Sequence, residues 1–388
     1  MPYYRSVGDV PPKRHTRFVR PDGGLHAEEL MGEEGFSFDS ALLYHRRPPT
    51  ALRAIEAVDS EEQERTPNHP LAPRHFRTHE LKVGGDVVTG RHLLLANDDV
   101  RISYVAAGDS STLYKNATGD ELVFIEEGAG TLETVFGALP FGPGDYVVIP
   151  ASTIHRWVVD DGTVPVRALV VETSGHVGPP RRYLSRNGQF LEHAPYCERD
   201  LHGPHEPLLV DGEDVDVLVR HRGGWTRFRY ATHPFDVVGW DGCLYPYTLS
   251  IHDFEPITGR IHQPPPVHQT FEAPNVVVCS FVPRLFDYHP DAIPAPYNHS
   301  NVDSDEVLFY VEGNFMSRKG SGIEAGSVSL HPAGHTHGPQ PGSVEASIGQ
   351  AGTEEVAVMI DTFRPLDLGP GARDSEDDRY AWTWLEGR

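Results

Sequence analysis

Tyr114-Lys-Asn116-Ala-Thr-Gly-Asp-Glu121-Leu-Val-Phe-Ile-Glu-Glu127-Gly128 returns 185 residues later as His299-Ser-Asn301-Val-Asp-Ser-Asp-Glu306-Val-Leu-Phe-Tyr-Val-Glu312-Gly313. A second block follows each: Gly144-Asp-Tyr-Val-Val-Ile-Pro150-Ala-Ser-Thr-Ile-His155, then Gly326-Ser-Val-Ser-Leu-His331-Pro332-Ala-Gly-His335-Thr-His337, now at an offset of 182. The second copy has therefore lost three residues in its intervening loop. A repeat of this kind means two copies of one structural unit.

Within each copy the apolar runs are short, rich in β-branched and aromatic residues, and bounded by Gly, Pro, Asp or Asn. The same is true of Pro165–Val171, Val276–Val282 and Glu355–Ile360. Such runs predict strands, and their number predicts an all-β sandwich or barrel. Only Ala51–Glu64 and His26–Gly32 read as helix. The chain has 388 residues with 38 Gly and 34 Pro, enough for two units of ordinary size with many turns. A net charge of −23 argues against nucleic acid or an anionic membrane as partner, because phosphates would be repelled. No apolar run approaches the roughly 18 residues of a membrane span, and the polar start Met1-Pro-Tyr-Tyr-Arg5 is unlike a signal peptide. Cys197, Cys243 and Cys279 are odd in number and form no CxxC pattern, so a reducing cytoplasm is expected. The acidic run from Asp374 to Tyr380 reads as a solvated tail.

The two copies differ where chemistry would notice. The second offers His299, Glu306 and His337. Two imidazoles and one carboxylate can occupy one face of a divalent ion and leave the other open, which suits O2 activation at non-haem Fe(II). Asp305 and Glu306 are neighbours, and neighbours on a strand face opposite ways. The repeat selects Glu306, which precedes Gly313 by the same seven residues that separate Glu121 from Gly128. Asn301 is a poor ligand and is expected to donate from behind the ligands, and His335 is left off the metal. The first copy has Tyr114 in place of His299 and keeps only Glu121 and His155, which are expected to hydrogen-bond to each other in a metal-free unit.

The paired blocks resemble the motifs of the cupin superfamily, H-x-[HN]-x(3,4)-E-x(6)-G and G-D-x(4)-P-x(4)-H. The resemblance implies a bicupin: two jelly-roll β-barrels with an N-terminal extension and few helices. The expected division is an N-terminal segment over 1–75, a first barrel without metal over 76–180, a connecting region over 181–260 and a metal-bearing barrel over 261–388.

Further blocks resemble one family, homogentisate 1,2-dioxygenase. They are Leu25-His-Ala-Glu-Glu-Leu-Met-Gly32 with Leu43-Tyr44, Pro234-Phe-Asp-Val-Val-Gly-Trp240-Asp-Gly, Pro296-Tyr297-Asn-His299-Ser-Asn301, and Ser329-Leu-His331 leading to His337-Gly-Pro339. The resemblance, to a divergent bacterial branch, implies Fe(II) on His299, Glu306 and His337. It implies His262 as the catalytic histidine, with His268 a less suited substitute, and His331 as a histidine that hydrogen-bonds substrate. With Asn301, Phe315 and His337, His331 would form the substrate-binding set. The implied reaction joins a small hydroquinone acid, homogentisate, with O2 to give maleylacetoacetate in tyrosine and phenylalanine catabolism. His262 would accept a phenolic proton, and trimers or hexamers are implied. Two departures stand out: six residues separate His299 from Glu306 where the better-known members have five, and Phe315 stands where the family has a substrate-contacting tyrosine. Three other readings remain open at this point: a dioxygenase for gentisate or another hydroxylated aromatic acid, a non-catalytic bicupin that binds small molecules, and a Mn-dependent decarboxylase or sugar-phosphate isomerase on the same fold.

Overall fold

A computed structural model describes residues 3–59, 64–160, 162, 164–222 and 224–385. It is mostly strand, with two short α-helices, Ser343–Ser347 and Pro370–Ser375, among the described residues. The apolar runs singled out in the sequence fall in strands, to within a residue at their ends. No described helix is long and apolar enough to cross a membrane.

The duplicated strands lie at corresponding places in two sheets. Glu121–Glu127 runs between Asp145–Ile149 and Val166–Thr173 in a nine-stranded sheet, and Asp305–Glu312 runs between Ser327–His331 and Val356–Thr362 in a six-stranded sheet. Alternation along each strand sends side chains to two different cores. Leu122 and Phe124, with Val307 and Phe309, belong to the large core that joins the halves, where the Phe124 and Phe309 rings lie 6.1 Å apart. Val123 and Ile125 face inward in the first half. Glu306, Leu308 and Tyr310 share the inward face of the second, and Leu308 and Tyr310 pack there with Cys279, Phe315 and Met359.

The seven-stranded sheet completes the first half, and a two-stranded sheet, Arg284–Leu285 with Gly352–Thr353, flanks the second. These sheets are open rather than closed barrels, so the expected barrel closure is corrected while the all-β class stands. The termini are woven in: Arg74–Arg77 pairs with Ser327–His331, and Asp367–Leu368 joins the nine-stranded sheet of the first half.

Both helix expectations fail. Ala27–Gly32 is a strand paired with Ser40–His45, and Leu52–Val58 is the edge strand beside Gly224–Thr232; residues 60–63 lie outside the described residues. Favourable helix composition is a weak preference beside a waiting strand partner. Ile55, 66% exposed, shows that the second segment had no stripe to bury as a helix. The solvated-tail expectation is also corrected. Asp377 and Tyr380 are buried, and Asp377 Oδ2 accepts a 2.8 Å bond from Arg77.

Candidate metal centre

Three elements bring the site together. The strand Asp305–Glu312 turns Glu306 inward, and its neighbour Asp305 faces away. There Asp305 accepts the backbone N–H groups of Ala333 and Leu366, each at 2.8 Å, and so clamps two loops. His299 and His337 are held opposite each other by reciprocal backbone hydrogen bonds of 2.8 and 2.9 Å. Their ring centroids are 4.3 Å apart. The candidate ligand atoms of His299, Glu306 and His337 all lie within 4.8 Å of one another.

The hydrogen bonds behind these groups fix their chemistry. Nδ1 of His299 lies 3.2 Å from the Tyr297 carbonyl, and Nδ1 of His337 lies 3.1 Å from the His335 carbonyl. A carbonyl only accepts, so in the neutral rings Nδ1 carries the hydrogen and the Nε2 lone pair points out. Those lone pairs face the Glu306 carboxylate, at 3.4 Å for His299 and 3.2 Å for His337. Three acceptors converging in this way need a proton or a cation between them. Burial alone would raise the Glu306 carboxyl, but its contacts with His299, His331 and His337 outweigh that and hold it well below the usual range. His299 is raised by its contact with Glu306. The donor set, two borderline nitrogens and one hard oxygen, fits a divalent ion such as Fe(II) or Mn(II).

His331 lies directly across from Glu306 in the sheet and is fully buried. Burial pushes it down to about 3, so it is neutral. Its Nδ1 donates to Glu306 Oε1 at 2.9 Å, and its Nε2 accepts from the Tyr380 hydroxyl at 3.0 Å. With both nitrogens engaged it acts on the carboxylate, in contrast to the expected direct hydrogen bond to substrate. Asn301 Nδ2 donates to Asp361 Oδ1 at 3.3 Å. Asp361, which sits across from Glu306 on the other side, is raised to about 7 by burial and by the Glu306 charge. Phe315, in the left-handed region at φ 39°, packs its ring 5.1 Å from Tyr310 in the inward-facing apolar cluster. His335 lies outside the ligand cluster, its ring 6.3 Å from that of His337.

His262 is exposed at the rim, its Nε2 3.2 Å from the Tyr297 hydroxyl and its Nδ1 3.6 Å from Asp287. Tyr297 stands between it and His299, with ring centroids 5.3 and 6.2 Å away. The alternative, His268, is largely buried against Phe281 and pushed down to about 3 by that burial.

The corresponding place in the first half holds a guanidinium. Arg91 donates twice to Glu121, at 3.1 and 2.8 Å, and Tyr114 donates to the same carboxylate at 2.6 Å. His155 repeats the pattern of His337, with Nδ1 2.9 Å from the Thr153 carbonyl, but its buried Nε2 has no hydrogen-bond partner. The expected hydrogen bond between Glu121 and His155 is absent, because Arg91 and Tyr114 have taken the carboxylate. Arg91, Asp361 and Tyr380 were missed in the sequence. Two signals bear on them: a carboxylate recurs across the sheet from the motif Glu in both halves (Glu172 opposite Glu121, Asp361 opposite Glu306), and aromatics crowd the tail from Tyr380 to Trp384.

Comparison with known proteins agrees with this architecture. The cupin domain family profile matches residues 101–172, in the first half. A protein of Saccharolobus solfataricus, provisionally named a dioxygenase, is 38% identical over 388 residues, covering 99% of this chain and 99% of its own. Homogentisate 1,2-dioxygenase of Caenorhabditis elegans is 27% identical across 81% of this chain and 76% of its own length. The enzyme of that name from Emericella nidulans is 24% identical across 87% and 80%.

Proposed function

The chain belongs to the cupin family that includes homogentisate 1,2-dioxygenase, and from that premise we propose that it is a ring-cleaving dioxygenase with Fe(II) held by His299, Glu306 and His337. Its substrates in this reading are a small hydroxylated aromatic acid and O2. Homogentisate, opened to maleylacetoacetate in tyrosine and phenylalanine breakdown, is the first choice. The convergence of two imidazole lone pairs on a buried carboxylate carries the reading, since a divalent cation would satisfy all three acceptors at once. Fe(II) held by these three residues would supply Lewis-acid and one-electron chemistry toward a dihydroxylated ring and O2.

The protein's own groups do the rest. His262, an imidazole at the rim with Asp287 behind its Nδ1, accepts the phenolic proton at Nε2, and Tyr297 sits where it can relay or guide that transfer. The inward cluster of Leu308, Phe315 and Met359 offers an apolar wall to a ring. Phe315 contributes contact there but no hydrogen bond. That one observation favours a second reading, a dioxygenase for gentisate or another hydroxylated acid. Trimeric or hexameric assembly is part of the proposal. The reaction class is tested with 18O2: both labelled atoms in one ring-opened product support it, and one labelled atom or none contradicts it.

A further inference from the structure

Tyr380 lies 49 residues beyond His331, in a segment with no place in the ligand motif, yet its hydroxyl is 3.0 Å from His331 Nε2. Glu306 Oε1 accepts from Nδ1 of the same ring at 2.9 Å. The three groups form a directional chain: Tyr380 O–H donates to His331, and His331 N–H donates to Glu306. This gives His331 the same protonated nitrogen as the ligand histidines but a different target, since His299 and His337 spend Nδ1 on backbone carbonyls. The opposite tautomer of His331 would set its Nδ1 lone pair against the carboxylate, so it is Glu306 that selects the tautomer, and the Tyr380 hydroxyl that holds the far edge of the ring.

The segment that delivers Tyr380 is tied down on both sides. Asp377 N donates to the His75 carbonyl at 2.8 Å, and Asp377 Oδ2 accepts from Arg77 at 2.8 Å. The strand Arg74–Arg77 is itself paired with Ser327–His331. On the other side Trp384 Nε1 donates to the Gly338 carbonyl, next to His337, at 3.0 Å. Tyr380 is fully buried between these ties, its ring 5.2 Å from that of Trp384.

We propose that Tyr380 is a positioning residue of the metal centre: by bonding the far nitrogen of His331 it fixes the tilt of that ring, which in turn holds Glu306 Oε1 in one orientation toward the metal. The inference rests on the metal reading of His299, Glu306 and His337. Groups that orient a ligand in this way are commonly worth about 10–100-fold in metal affinity.

The test is titration of metal-free wild type and Tyr380→Phe with Fe(II) and with Co(II), reading the dissociation constant and the visible Co(II) spectrum. The thermal midpoint of each metal-free protein is taken alongside. The expected result is about 10-fold weaker binding and a shifted Co(II) spectrum in Y380F. Equal affinity and an unchanged spectrum overturn the role of Tyr380. No metal binding by wild type overturns the underlying metal reading instead. A measurement on wild type stands even if Y380F folds poorly: nitrogen-15 spectra of the Zn(II)-loaded protein must show His331 protonated at Nδ1, and protonation at Nε2 overturns the proposal.

Discussion

Arg91 meets Glu121 through two parallel hydrogen bonds of 3.1 and 2.8 Å, at the position where the second half aims His299 and His337 at Glu306. One half satisfies its motif carboxylate with a guanidinium carried by the chain, and the other leaves it to be satisfied by an ion. Removing one partner of a buried pair leaves an uncompensated charge, at a cost of about 3–5 kcal/mol. Arg91→Met is therefore expected to lower the free energy of unfolding by that amount while metal content stays the same. Denaturant titration with metal analysis of the purified variant checks both.

The ligand assignment separates neighbouring residues. His299→Ala and Glu306→Gln are expected to abolish metal binding, and Tyr114→Ala to spare it. Asp305→Ala is expected to keep the metal but lose roughly 2–4 kcal/mol of stability, because two backbone N–H groups lose a charged acceptor. Full metal content in the His299 variant would remove the assignment.

His262 contacts Tyr297 and Asp287 rather than the three ligands. Replacing it with alanine is expected to leave metal content intact and to lower kcat by about 10²–10⁴, the range for loss of a general base. Equal turnover in the variant would reassign the proton acceptor.

A stability effect of pH comes from the N-terminal sheet. Burial alone would lower His45, but hydrogen bonds to Asp236 at 2.6 Å and Glu29 at 3.0 Å outweigh it and raise His45 to about 9. A group raised above its unfolded value stabilises fully below that value, near 6.5, and loses the contribution as pH rises toward 9. The thermal midpoint of wild type is expected to fall between pH 6.5 and 9 more steeply than that of His45→Asn. Parallel slopes would contradict the pairing.

Much of this was legible in the sequence. Strand positions followed from short β-branched runs, and the choice of Glu306 over Asp305 followed from the repeat, because alternation on a strand leaves only one neighbour facing in. What was not legible came from contacts distant in sequence. Arg91 is 30 residues from Glu121 and Tyr380 is 49 from His331, and neither lies in a motif. Helix was expected over 26–32 and 51–64, where the strands Ala27–Gly32 and Leu52–Val58 form instead, because their partners, Ser40–His45 and Gly224–Thr232, lie elsewhere in the chain.

The central claim, a dioxygenase built on His299, Glu306 and His337, is tested most directly by oxygen uptake. Fe(II)-loaded protein is mixed in turn with homogentisate, gentisate and unsubstituted hydroquinone in an oxygen electrode. The account predicts uptake of one O2 per ring opened, fastest with an acid-bearing ring and absent in His299→Ala. No uptake with any of the three by iron-replete wild type would contradict it and leave a binding protein in its place.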